Sequence, residues 1–307
     1  MTGKLEIRRL AGALGAEVFG VDLAQPLDDA TVAAIRRAWL EHLVLFFPGQ
    51  KLDDAALERF TAQFGPFGVE PFVDAIATAT PHVLAVIKEA DEKRKANFGG
   101  AWHSDWSFQE QPPAATFLYA LELPPYGGDT MWTNQYLAYE TLSSGLRAML
   151  DGLQAMHSAR RPYGTKGTYA DKTQARSMKI RTGADAEGET AHPVVRVHAE
   201  TGRRALYVNQ VYTIRFKDMS EPESAPLLNY LHQHSIRPDF TCRYRWSVGT
   251  LAMWDNRCTQ HFAINDYDGF RRELHRTTLA GEKPLSIAEA TNLKQVAASL
   301  ETSVAAQ

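Results

Sequence analysis

The chain has 307 residues, 44% hydrophobic and 22% charged, enough apolar material for a sizeable globular core. With 33 Lys and Arg against 36 Asp and Glu, the net charge of -3 excludes the broad basic footprint of a typical nucleic-acid binder. The two cysteines, Cys242 and Cys258, stand in no CxxC motif, which argues against a disulfide framework or a structural zinc cluster and suits a reducing, cytoplasmic address.

In chain order, the opening MTGKLEIRRLAGALGAEVFG scatters charge where a signal peptide needs an unbroken apolar run. No later stretch approaches the roughly 18 apolar residues of a membrane span. Asp28-Asp29-Ala30-Thr31 precedes a helical pattern in VAAIRRAWLEH, with Val32, Ile35, Trp39 and His42 at helical spacing. LVLFFPG reads as a short buried strand, and DDAALERFTAQFG as a second helix closed by Gly65. From about residue 100 the pattern becomes short runs rich in aromatic and β-branched residues: ATFLYALEL, DTMWTN, PVVRVHAE, RRALYVNQ, FTCRYRW, GTLAMWD and RRELHRTTLAG. Helical patches interrupt them at YETLSSGLRAMLDGL and SAPLLNYLHQHS. The expectation is a single α+β, mainly β, domain over residues 1–307: a barrel or jelly roll of short strands with helices outside. Residues 158–191 are polar and weakly periodic, and are expected to form a lid.

The chemistry centres on Trp102-His103-Ser104-Asp105-Trp106. Side chains alternate along a strand, so an extended backbone would aim His103 and Asp105 to one side. Such a triplet alone is common on surface strands and turns. With a third ligand from elsewhere, it makes a face of two imidazoles and one carboxylate, which suits iron(II) and oxygen chemistry. His198-Ala199-Glu200 is a rival triplet, but VVRVH and RRALYV flank it like two arms of a hairpin, which places Glu200 in a turn. The C-terminal stretch MWDNRCTQHFAINDYDGFRRELHRTTLAG carries His261 and then a strand. There Arg272, Leu274, Arg276 and Thr278 share one face, and Arg271, Glu273, His275 and Thr277 the other. Arginines on an apolar face are costly unless they meet anions, and a dicarboxylate is such an anion.

Four segments resemble the taurine dioxygenase family: NFGGAWHSDWSF, ELPPYGGDTMWTN, HPVVRVHAETGRRALYVNQVYT and WDNRCTQHFAINDYDGFRRELHRTTLAGEKP. With GAEVFGVDL and LVLFFPGQ the likeness runs from about residue 5 to 285. It implies a double-stranded β-helix (jelly roll) and an Fe(II) enzyme with 2-oxoglutarate and O2 as co-substrates. Succinate and CO2 would be released as a small organic substrate is hydroxylated. By the same resemblance His103, Asp105 and His261 are the metal ligands. Thr130, Arg272 and Arg276 bind 2-oxoglutarate, and Glu70, Asn97, Trp106, Tyr212 and Arg276 meet the substrate. The expected partner is a small-molecule substrate; the charge balance and the lack of a long apolar run argue against nucleic-acid and membrane partners, and a homo-oligomer is expected.

The chain departs from the family pattern at Glu70, where the taurine enzymes carry a sulfonate-binding histidine, and at Val73, Gly99, Gly100 and Trp106. A carboxylate beside a sulfonate is repulsive, so the expected substrate is anionic or zwitterionic, larger than taurine and with aromatic or cationic character, but not taurine itself. The competing readings are a metal-dependent hydrolase and a non-catalytic binding protein on the same jelly roll.

Overall fold

Side-chain alternation along the strands builds the protein around one large sheet. The computed structural model describes residues 5–75, 79–92, 97–171, 176–293 and 295. Seven strands run across the sheet in the order Glu6–Arg9, Ala16–Phe19, Val44–Phe47, Leu251–Asp255, Ala115–Glu122, Arg272–Leu279 and Leu84–Lys88. All neighbours are antiparallel except Ala16–Phe19 against Val44–Phe47. A second sheet places Thr130–Asn134 between Thr241–Tyr244 and Thr259–Ala263.

Both faces of the central strands are covered. Leu45, Phe47, Phe117, Tyr119, Leu251 and Met253 pack outward against the helices Asp29–His42 and Asp54–Ala62 through Ile35, Trp39, Leu57 and Phe60. The intervening residues Phe46, Leu118, Ala252, Trp254 and Leu274 turn inward and meet Trp132, Cys242 and Tyr244 of the second sheet. Burying each large apolar side chain contributes about 1.5–3 kcal/mol, so two filled layers fix the register of every central strand. The result is a jelly roll with flanking helices.

Asp28 starts the first helix because its carboxylate accepts from the Thr31 amide, and Asp53 does the same for Ala56 in the second. The patch at YETLSSGLRAMLDGL divides into Gln135–Glu140 and Ser144–Leu150, since Ser143 caps the later helix. The polar segment 158–191 contains a short helix, Arg160–Tyr163, and a 3-10 turn, Ala184–Glu187; its residues 172–175 lie outside the described residues. Both cysteines are free and buried, and no helix among the described residues is long and apolar enough to cross a membrane.

Candidate metal centre and active site

His103 and His261 are held face to face by the backbone. Each donates its amide to the other's carbonyl, at 3.2 and 2.8 Å, and their ring centroids lie 4.1 Å apart. Asp105 joins them through Oδ1, 3.5 Å from His103 Nε2 and 3.9 Å from His261 Nε2. The three ligand atoms lie within 4.8 Å of one another and all three residues are buried. This convergence does not come from an extended strand, as the spacing suggested. Only His103 pairs in a ladder; the chain turns at Asp105, and Trp106 takes a φ of +46°. A buried aromatic residue in that region costs about 1–3 kcal/mol, a strain usually kept where function needs it.

The neighbours prepare the donor atoms. His103 Nδ1 lies 2.7 Å from the Ala101 carbonyl, to which it donates, so Nε2 is the nitrogen turned toward Asp105. Asp105 Oδ2 accepts from Thr116 Oγ1 at 2.6 Å, Thr116 accepts from Asn256 Nδ2, and Asn256 Oδ1 accepts from Trp254 Nε1. Burial alone would raise the Asp105 carboxyl, but Arg276 and the two imidazoles outweigh it and hold it well below its usual range. Burial and the neighbouring His103 push the His261 imidazole well below its usual range, which keeps it neutral. Two imidazoles and one ionised carboxylate, closely grouped and buried, fit a divalent transition metal.

The two inward arginines differ. Arg276 Nη1 lies 3.3 Å from Asp105 Oδ1, and its Nε lies 3.3 Å from Glu70 Oε1. Arg272 has no ion pair among the described residues. Its Nη2 donates to the Gly128 carbonyl at 3.0 Å, Tyr267 lies beside the guanidinium, and its buried Nε has no acceptor. A buried guanidinium nitrogen without an acceptor fits an anionic ligand such as a carboxylate. Gly128 is at φ +69°, and a Cβ there would stand 3.1 Å from Arg272 Nε. Thr130 is buried, and its hydroxyl accepts from Trp246 Nε1 at 3.0 Å.

A cavity of about 250 Å³ opens at His103 and Asp105, and its walls include Asn97, Trp106 and Tyr212. Asn97 is held by Nδ2 donating to the Ala263 carbonyl, and a Cβ on Gly100 would stand 1.9 Å from Asn97 Oδ1, so a side chain there would displace the Asn97 amide. Asn97 and Phe98 also line a narrow cavity of about 20 Å³ beside Arg272. Glu70 does not point into solvent: its side chain is 11% exposed, and Oε2 accepts from Trp106 Nε1 at 2.6 Å. It borders a separate cavity with Val73, His82 and Thr278. Burial raises the Glu70 carboxyl above its usual range, with Arg276 pulling against that shift.

The rival His198 lies in the hairpin of Val195–Val197 and Arg204–Leu206. His198, Asp255 and Cys258 are also close together and buried, but the lone pairs of His198 and Asp255 are taken. His198 Nδ1 accepts from the amides of Glu200 and Thr201, its Nε2 faces Asp255 at 3.0 Å, and Arg257 donates to both Asp255 oxygens. Glu200 is more than an exposed turn residue, since Arg36 and Arg257 both pair with it. Sequence reasoning missed Thr116, although it is a polar residue on the inward face of a strand shared with Leu118 and Ala120. It also missed Tyr163 and Tyr169, which come from the polar segment to line the main cavity; their aromatic character was the available signal.

The chain matches the family model "Taurine catabolism dioxygenase TauD, TfdA family" over residues 6–278. It is 38% identical to an alkylsulfatase of Acinetobacter baylyi over 282 residues, covering 92% of this chain and 86% of the relative. It is also 38% identical to an alpha-ketoglutarate-dependent sulfate ester dioxygenase of Pseudomonas putida over 286 residues, 92% of each chain. The crystal structure of a taurine dioxygenase from Burkholderia xenovorans superposes with a TM-score of 0.76 at 36% identity, covering 93% of this chain and 94% of that one. AAD-2 in complex with Mn(II) and N-oxalylglycine superposes at 0.74 with 26% identity, covering 92% and 99%. On these matches, spanning nearly the whole fold and its site, the chain belongs to the TauD/TfdA family of alpha-ketoglutarate-dependent dioxygenases.

Proposed function

We propose that this dioxygenase holds Fe(II) on His103, Asp105 and His261 and hydroxylates a small organic substrate in the cavity beside them. The observation that carries the reading is the preparation of the donor set. Ala101 fixes the tautomer of His103, Thr116 holds the outer oxygen of Asp105, and the inner oxygen faces both imidazoles. Iron bound there supplies the electrons that let O2 react at the expense of 2-oxoglutarate. The protein's own residues bind and orient. Arg272, with its unpartnered Nε, takes the far carboxylate of 2-oxoglutarate, and the Thr130 hydroxyl assists. Arg276 Nη2, which also lacks an acceptor, is the donor proposed for the chelating end. Asn97, Trp106 and Tyr212 form the substrate wall, and Glu70 acts on it from behind Trp106. A hydrolase would have no use for Arg272's unpartnered cation.

Anaerobic addition of Fe(II) and 2-oxoglutarate is the test: a visible charge-transfer band is expected in the wild type and in His198→Ala. It is lost in His103→Ala, Asp105→Ala and His261→Ala. A band that survives His103→Ala but disappears with His198→Ala would sink the assignment.

The same reading makes the chain one domain with a lid at 158–191 that closes over bound substrate and excludes water. The burial of Tyr163 against Phe72 and Trp106 supports it. Equal protease cleavage of that segment with and without 2-oxoglutarate and Mn(II) would remove the lid from the proposal. A cytoplasmic address, consistent with two free buried thiols, and a homo-oligomeric state testable by sedimentation complete it.

A further inference from the structure

Arg272 and Lys88 stand opposite each other in the antiparallel pairing of Arg272–Leu279 with Leu84–Lys88, and both are buried. Residues paired in this way carry their side chains to the same face, where like charges repel. One aromatic ring answers both. Tyr267, itself buried, brings its ring centroid to 4.7 Å from Lys88 Nζ and 5.9 Å from Arg272 Cζ, within cation–π reach of each. All three residues line the narrow cavity beside Arg272.

The turn that carries Tyr267 is tied down before and after it. Asn265 Oδ1 and Asp268 Oδ1 accept from Lys88 Nζ at 2.7 and 2.8 Å. Asp266 Oδ1 accepts from the Gly128 amide at 2.7 Å, and the carbonyl of that same glycine accepts from Arg272 Nη2 at 3.0 Å. The turn therefore grips both cations, Lys88 directly and Arg272 through Gly128 and the ring. Lys88 is satisfied by this turn, whereas Arg272 keeps Nε without an acceptor. A guanidinium on a flexible stem, pinned at one corner by a carbonyl, can still swing about that corner. The Tyr267 ring is what stops the swing.

We propose that Tyr267 is a positioning residue for the co-substrate: its ring, held against Lys88, fixes the plane of the Arg272 guanidinium so that Nε stays available to the far carboxylate of 2-oxoglutarate. This deepens the proposed function and rests on its assignment of that carboxylate to Arg272. Tyr267 acts through the arginine, so it bears on the carboxylate end of the co-substrate and leaves the keto-acid end alone. Lys88 forms no bond to the carboxylate, because Asn265 and Asp268 already occupy its Nζ.

The test compares 2-oxoglutarate with 2-oxopentanoate, which keeps the keto acid and the chain length but ends in a methyl group. Binding is measured by calorimetry under argon on protein loaded with Mn(II). The wild type should favour 2-oxoglutarate by about a hundredfold, since only that probe carries the carboxylate assigned to Arg272. Tyr267→Leu removes the ring and should cut the preference about tenfold, through weaker binding of 2-oxoglutarate alone. Tyr267→Phe keeps the ring and should hold the preference to within about threefold. A preference unchanged in Tyr267→Leu, an equal drop in Tyr267→Phe, or equal weakening of both probes would overturn the proposal. Tyr267→Met takes the place of Tyr267→Leu should the latter bind neither probe; if it too binds neither, Tyr267 serves folding and the proposal falls. Arg272→Met tests the reading beneath: the two probes should then bind almost equally, and a preference that survives would sink the co-substrate assignment itself.

Discussion

Arg272 and Arg276 lie on the same face of one strand, both buried, yet the two ends of that strand do different things. At the Arg276 end, two carboxylates from distant parts of the chain approach the guanidinium and balance its charge within the protein, although Nη2 has no acceptor. At the Arg272 end a backbone carbonyl and a tyrosine ring keep it company, and one nitrogen has no acceptor. A buried cation is tolerated only with a counter-charge, from the protein or from a ligand. The first end therefore ties the framework of the site together and keeps one nitrogen for a ligand, while the second depends on a ligand for its whole counter-charge.

Breaking the paired end should have the largest effect. Arg276→Met leaves Glu70 and Asp105 buried without their cation, and should cost about 3–5 kcal/mol of stability in metal-free protein, read by urea unfolding. Adding Glu70→Gln should recover part of that loss; strictly additive penalties would mean that the two residues are not coupled. Arg272→Met should barely alter unfolding while weakening 2-oxoglutarate binding by about 1.5–3 kcal/mol for each charged hydrogen bond removed. Equal losses of stability in the two single variants would erase the distinction drawn between the ends. From the Asp105 side, Thr116→Val frees the carboxylate oxygen it holds and should lower Mn(II) affinity about tenfold, the lower edge for groups that orient ligands. Arg271, one residue before Arg272, supplies the smallest effect. It sits on the surface among Glu89, Glu122 and Glu273, and Arg271→Ala should change stability by no more than about 1 kcal/mol.

Much of the fold was legible because its rules are local. Asp28 and Asp53 announce their helices, and the period-two pattern of RRELHRTTL separates inward from outward residues before any partner strand is known. The candidate ligands were legible through the resemblance of HSD and NRCTQH to family motifs, whereas the geometric reason offered for them, a common strand face, was not what the chain uses. A turn with a positive φ at a tryptophan has no signature in residue type. Residues 158–191 read as polar and irregular, although two tyrosines within them line the cavity, because sparse aromatics carry no periodic signal.

The sequence by itself put Arg272 and Arg276 on one strand face, since side chains alternate along a strand, and the family resemblance put that face near a histidine and carboxylate pair. Only the tertiary structure decided which arginine is neutralised. That depends on where the loop bearing Glu70 comes to rest and on how Trp106 turns, and both are set by packing among segments far apart in the chain. Charge in a dry interior is governed by distances of a few ångströms, which no local pattern specifies.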